Sequence, residues 1–173
     1  MLARLHGDVN HHAALCSKEA EALPDATVTL HCGHSECTGD PMQPLHRLLV
    51  VENEPKDLKL AADSARSIGI SEVEARTSFH AAKVYLDKGL SGELPLPDGI
   101  VLDLDLGHDS GYELLRYWHS TPRLAQIPLI VWSILGEEQR AMCKLFKVNT
   151  FVGKWEGTVA FCEALSNLAQ AGS

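Results

Sequence analysis

The chain lacks any apolar run near the roughly 18 residues that a membrane-crossing helix needs. Its amino terminus also lacks the continuous apolar segment of a secretory signal, because Asp8, His11 and His12 follow closely behind Leu5. There is no block of lysine or arginine, and the formal charge of −8 is spread along the chain. Both features argue against nucleic acid or an anionic membrane as the main partner. The five cysteines form no framework spacing, and an odd number suits a reducing compartment better than a disulfide scaffold. No internal repeat or low-complexity tract is evident. These absences read as a soluble, cytoplasmic protein.

What is present points to one good core. At 173 residues and 45% hydrophobic, one domain plus an appendage is the economical division. A boundary falls near Pro41 to Pro44. Residues 1–44 hold five of the nine histidines, three of the five cysteines, and six acids against two bases, with weak periodicity and repeated Pro and Gly breakers. They read as a loosely ordered extension, with a short helix around Ala13 to Ala22 and a brief extended piece at Thr27 to Leu30. Residues 45–173 read as the folded domain.

From Leu48 onward, strand and helix signals alternate. Strands are expected at Leu48 to Val51, Val73 to Thr77, from Gly99 to an end that carries Asp103, Leu129 to Ser133 and Thr150 to Gly153. Between and after them, helices are expected from Pro55 to Ile68, from the Ser78 cap to about Lys88, from Tyr112 to about Trp118, from Glu137 to about Phe146, and from about Thr158 to Ala169. Five alternating units imply an α/β fold with a parallel, doubly wound sheet and right-handed crossovers.

The carboxyl edge of such a sheet gathers strand ends and helix amino termini, so polar residues placed there meet. Glu52, Asn53 and Glu54 follow the first strand, Asp103 the third, Ser133 the fourth and Lys154 the fifth. Acids can hold Mg²⁺ through oxygen, an aspartate can accept a phosphoryl group, and a hydroxyl and an ammonium can hold its oxygens. Each element alone is common; the combination in this order is specific.

Over about residues 46–170 the sequence resembles the response-regulator receiver family. Val51-Glu52-Asn53-Glu54-Pro55 is similar to its acidic motif, Asp103 with Gly111 eight residues on to its phosphoacceptor loop, and Ser133 and Lys154 to its hydroxyl and lysine positions. Phe151 falls at its aromatic switch position. The resemblance implies a flavodoxin-like sheet in the order 2-1-3-4-5. It also implies phosphoryl transfer from a histidine kinase or phosphotransfer protein to Asp103, with Mg²⁺ held by Glu52, Asp103 and Asn53 or Asp105. Ser133 and Lys154 would bind the phosphoryl oxygens, and Phe151 would move as Ser133 closes on them. The chain reads as a stand-alone receiver that docks to a downstream protein and is not an enzyme beyond self-dephosphorylation; whether it forms a homodimer is open.

Four positions depart from the pattern. Asn53 stands where the family has a second carboxylate, and an amide oxygen is a weaker ligand for a hard cation. Asp105 is read as the acid that supplies the missing charge. Trp155 replaces a proline whose preceding bond is usually cis; without proline, cis costs about 2.5–4 kcal/mol, so Lys154-Trp155 is expected to be trans or strained. Ile134 replaces a small residue and is expected to slow attack of water on a phosphoaspartate. Gly107, often proline in the family, is read only as loosening the loop.

Bland readings stand beside these. Asp103 can be a loop solvator, Phe151 and Trp132 simple core aromatics, and Cys143 and Cys162 small hydrophobes on apolar helix faces. One alternative function is an interaction module that keeps the fold without carrying phosphate. Another is a haloacid-dehalogenase-like phosphatase, whose nucleophile motif Asp103-Leu104-Asp105 resembles, although the downstream acidic pair is missing. In the extension, His31-Cys32-Gly33-His34-Ser35-Glu36-Cys37 offers zinc-compatible atoms, but without paired-knuckle spacing it reads as a flexible tail.

Overall fold

The computed structural model describes residues 45–134 and 136–171. The expectations for residues 1–44, including the short helix, the extended piece and the His/Cys cluster, lie outside the described residues.

Five parallel strands form one sheet: β1 (Arg47–Val51), β2 (Glu72–Arg76), β3 (Gly99–Leu102), β4 (Leu129–Ser133) and β5 (Thr150–Gly153). Their order across the sheet is β2-β1-β3-β4-β5, the flavodoxin-like order expected. The helices are α1 (Pro55–Ser67), α2 (Phe79–Ser91), α3 (Gly111–Ser120), α4 (Glu137–Leu145) and α5 (Gly157–Ala171). The central strands carry apolar residues on both sides because helices cover both sheet faces. Leu49, Val51, Ile100 and Leu102 pack in one layer with Leu86, Leu114 and Leu115, under α2 and α3. Leu48, Val50, Val101 and Ile130 face the other layer with Ala61, Ala65, Phe161 and Leu165, under α1 and α5.

Local chemistry sets the helix ends. Pro55 opens α1, Ser78 caps α2 by accepting from the Ala81 N–H at 3.2 Å, and Gly92 ends α2 in the left-handed region at φ 83°. That glycine carries α2 to Ser91, past the expected end near Lys88. Two short elements were not foreseen. A two-residue ladder pairs Asp105–Leu106 with Asp109–Ser110, and a 3-10 turn spans Lys154–Glu156. Gly107, at φ +75°, opens the loop of that ladder. Proline is held near φ −65°, so Gly107 is required by the turn and does more than loosen it.

The loop that carries Asp103 is pinned at both ends. The Asp103 N–H donates to Val51 O at 3.0 Å, and the Gly111 N–H to Leu104 O at 3.0 Å. Asp109 accepts from the Phe79 N–H at 3.0 Å, which ties the loop to the start of α2. A Cβ on Gly111 would lie 2.6 Å from Leu104 Cα and collide with the Asp103 carbonyl oxygen. Both obstacles are backbone and cannot rotate away, so Gly111→Ala should lower unfolding stability by about 1–3 kcal/mol. Urea unfolding would show it as a lower midpoint; an unchanged midpoint would mean that the loop gives way freely.

Candidate functional site

β1 and β3 are adjacent in register, with Val51 opposite Leu102, so the residues that follow each strand emerge side by side. Glu52 and Asp103 are therefore neighbours and almost completely buried, at 1% and 3% exposed. Two carboxylates at such depth need a cation. Lys154 provides it from the end of β5: its Nζ lies 2.7 Å from Glu52 Oε2 and 2.7 Å from Asp103 Oδ2. The third proton of the ammonium meets Asp57 Oδ2 at 2.6 Å. Below the ammonium, the Trp132 ring lies 5.1 Å away and is itself stacked on Phe161 at 4.3 Å. Trp132 is buried as expected for a core aromatic, and it is also the floor under Lys154.

The remaining oxygens are held by the backbone. Glu52 Oε1 accepts from the Glu54 N–H at 2.9 Å, and Asp103 Oδ1 from the Asp105 N–H at 3.1 Å. Above the cluster opens a cavity of about 310 Å³, whose walls include Asn53, Asp57, Asp105 and Ile134. Asn53 and Asp105 are exposed on its rim. A Cβ on Gly107 would lie 3.2 Å from Asn53 Nδ2, and the Asp105 side chain accepts from the Gly107 N–H at 3.2 Å.

Ser133 is fully buried at the end of β4, opposite Gly153 of β5 and so one residue from Lys154 along that edge. Phe151 lies farther back on β5, half-buried against the α2–α3 core layer. The Arg140 guanidinium of α4 covers its ring at 4.7 Å. Arg140 also reaches Glu156 Oε1 at 3.0 Å, the same oxygen that accepts from the Gly153 N–H at 2.8 Å.

That Glu156 contact shapes the turn that aims Lys154 without help from proline. The described residues contain no cis peptide, so the Lys154-Trp155 bond is trans. The Trp155 ring folds back over Gly153, where a Cβ would lie 2.7 Å from Trp155 Cδ2. The expectation of trans or strained backbone thus resolves to trans, with glycine and the 3-10 turn aiming the lysine.

The expected site residues Glu52, Asn53, Asp103, Asp105 and Lys154 all line the one cavity. Ser133 closes the neighbouring strand, and Phe151 stands behind it. Sequence reasoning missed Asp57, Trp132 in its second role, and Arg140. Asp57 had a usable signal: an acid on the first turn of a helix that follows β1 must lie near the same sheet edge.

Burial pushes the Glu52 carboxyl above its ordinary value and the Asp103 charge adds to this, against the bonds from Lys154 and the Glu54 N–H. For Lys154, burial opposes the charge, but the bonds to Asp103, Asp57 and Glu52 outweigh it and hold the ammonium above its ordinary value.

No protein-family model and no curated protein matches the sequence. Solved structures do. The phosphorylated cyanobacterial phytochrome response regulator RcpA is 28% identical over 73% of this chain and 88% of its own, with a TM-score of 0.58. The bacteriophytochrome response regulator RtBRR is 27% identical over 72% of this chain and 78% of its own, with a TM-score of 0.62. The Mn²⁺-bound response regulator Rcp1 is 24% identical over 71% and 91%, with a TM-score of 0.61. The described domain is similar in sequence and fold to response-regulator receiver domains. Among the described residues no helix is long and apolar enough to cross a membrane.

The donors at the cavity are hard oxygens, a chemistry that fits Mg²⁺. Among the described residues, however, no three His, Cys, Asp or Glu side chains stand arranged to hold a metal ion. Where the carboxylates converge, the Lys154 ammonium sits.

Three carboxylates therefore share one cation. Lys154, whose folded pKa is raised, stabilises the fold fully below about pH 10.5, and the contribution is lost as pH rises through the folded value. Glu52 has the same sign in a lower window: its raised folded pKa means that stability falls as pH rises from about 4.5 through that value. Lys154→Met should cost about 3–5 kcal/mol at pH 8, where buried acids are left unpaired. At pH 5 the loss should be smaller, because Glu52 can take up a proton. Urea unfolding at the two pH values checks this; equal losses would contradict it.

Proposed function

We propose that this receiver accepts a phosphoryl group on Asp103 from a histidine kinase or a phosphotransfer protein and signals through contact with a downstream protein. The observation that carries the reading is Lys154 Nζ at 2.7 Å from Asp103 Oδ2, an ammonium delivered to a buried strand-end carboxylate from 51 residues away.

An Asp103 carboxylate oxygen attacks the phosphorus of the donor. A new P–O bond forms as the P–N bond of a phosphohistidine breaks, and the electron pair leaves with the imidazole. The Asp105 N–H holds Asp103 Oδ1 and so orients the nucleophile. Lys154 turns from the carboxylate to a phosphoryl oxygen, and Ser133 at the next strand end is the hydroxyl that meets another. Mg²⁺, held by Glu52, Asp103 and the rim residues Asn53 or Asp105, would offset repulsion between the carboxylate and the incoming oxygens. Phe151 follows Ser133 as the switch and must slide under Arg140, which would carry the change to α4.

A second reading, a module that acts without phosphate, has its own support. Asn53 is neutral, and Lys154 is already engaged by three carboxylates.

Incubation with acetyl phosphate and Mg²⁺ should add one phosphoryl mass to the intact protein and none to Asp103→Asn. No adduct in either protein would favour the second reading. Ile134 lines the cavity and is 61% exposed, so it stands where attacking water would enter. Ile134→Gly should shorten the adduct's half-life several-fold, and an unchanged half-life would remove Ile134 from the path of water.

A further inference from the structure

α4 is tied to the domain differently from the other helices. Its one buried residue is Cys143, whereas α1, α2, α3 and α5 each bury three or four. Met142 and Leu145 of α4 stand 47% and 73% exposed. One small buried side chain holds nine residues only weakly, so the contacts of Arg140 carry weight. Its guanidinium covers the Phe151 ring at 4.7 Å and reaches Glu156 Oε1 at 3.0 Å, the two charged side chains being 31% and 35% exposed.

Glu156 Oε1 also accepts from the Gly153 N–H at 2.8 Å, which closes the 3-10 turn that begins at Lys154. That lysine side chain, 11% exposed, is seated on Glu52, Asp57 and Asp103. No proline fixes the turn, since Trp155 follows Lys154; a side-chain contact does, and such a contact can open. The carboxylate that closes the turn is the one whose charge Arg140 compensates. Without the guanidinium, a partly covered carboxylate turns toward water and its bond to the Gly153 N–H weakens.

We propose that Arg140 is a positioning residue: by holding Glu156 against the Gly153 N–H it keeps Lys154 seated on its acids, so that moving α4 unseats the lysine. Through this link α4 sets how readily Asp103 takes up a phosphoryl group, a consequence that rests on the phosphoacceptor reading. The link itself does not, because it joins Arg140, Glu156 and Lys154 with no phosphate present.

The test labels the full chain with trace acetic anhydride and reads the relative reactivity of each lysine by peptide mass spectrometry. Arg140→Gln should raise the reactivity of Lys154 about threefold or more, the range of a link between separated groups. Lys83 of α2, 39% exposed and paired with Asp87, reports general loosening and should stay within about 1.5-fold. Arg140→Lys, which keeps a cation beside Glu156, should recover most of the protection. The charge exchange Arg140→Glu with Glu156→Arg should not, because an arginine at 156 restores the ion pair but offers the Gly153 N–H no acceptor. The proposal is overturned if Lys154 in Arg140→Gln reacts as in the parent, if Lys83 rises by the same factor, or if the exchange protects Lys154 fully. A raised Lys154 reactivity in Arg140→Gln, beside no phosphoryl adduct in the parent, would sink the phosphoacceptor reading and leave this link standing.

Discussion

The ion cluster around Lys154 is the constraint to which the rest of this site answers. Glu52 and Asp103 are both buried, and one ammonium contacts both while reaching Asp57 at the cavity wall. These residues come from β1, α1, β3 and the turn after β5, so the cluster ties together parts of the chain that meet only when the parallel sheet is complete. A protein that merely needed stability could have filled the space with apolar side chains at little cost or some gain. Retaining three acids and one base at a cavity mouth is better explained by chemistry than by folding.

The delivery of Lys154 is solved locally in an unusual way. Trp155 occupies the position after the lysine, its ring folds over Gly153, and Glu156 closes a 3-10 turn through the Gly153 N–H. The same Glu156 oxygen holds Arg140, which lies across the Phe151 ring. One carboxylate thereby links the turn that aims Lys154 to the helix beside the aromatic of β5. A shift in either is felt by the other through two short contacts, without any need for a long pathway.

Much of this was legible in the chain. The strands read as apolar runs ending in polar residues because both sheet faces are covered, and Glu52, Asp103, Ser133 and Lys154 follow strand ends by position alone. Other features were not legible. Gly107 read as a loosening residue, but its positive φ shows that it makes the turn. Asp57 went unread, yet its carboxylate meets Lys154 together with Glu52 and Asp103. The difference lies in direction: a residue after a strand is known to be near the edge, but where its side chain points depends on the turn and on neighbouring charges.

By itself the sequence determined the alternation of strands and helices, the order of the polar strand ends, and the departures at Asn53, Ile134 and Trp155. The alternation and the order follow from hydrophobic periodicity and local turn chemistry, which act over a few residues, while the departures are read against the receiver resemblance. Only the tertiary structure decided that Lys154 would close on three acids, that Trp132 would lie beneath it, and that Arg140 would bridge Phe151 and Glu156. Such contacts join residues far apart in the chain. Their geometry is set by sheet register, by helix placement and by the electrostatic demand of buried charge for a partner, none of which is written in any single segment.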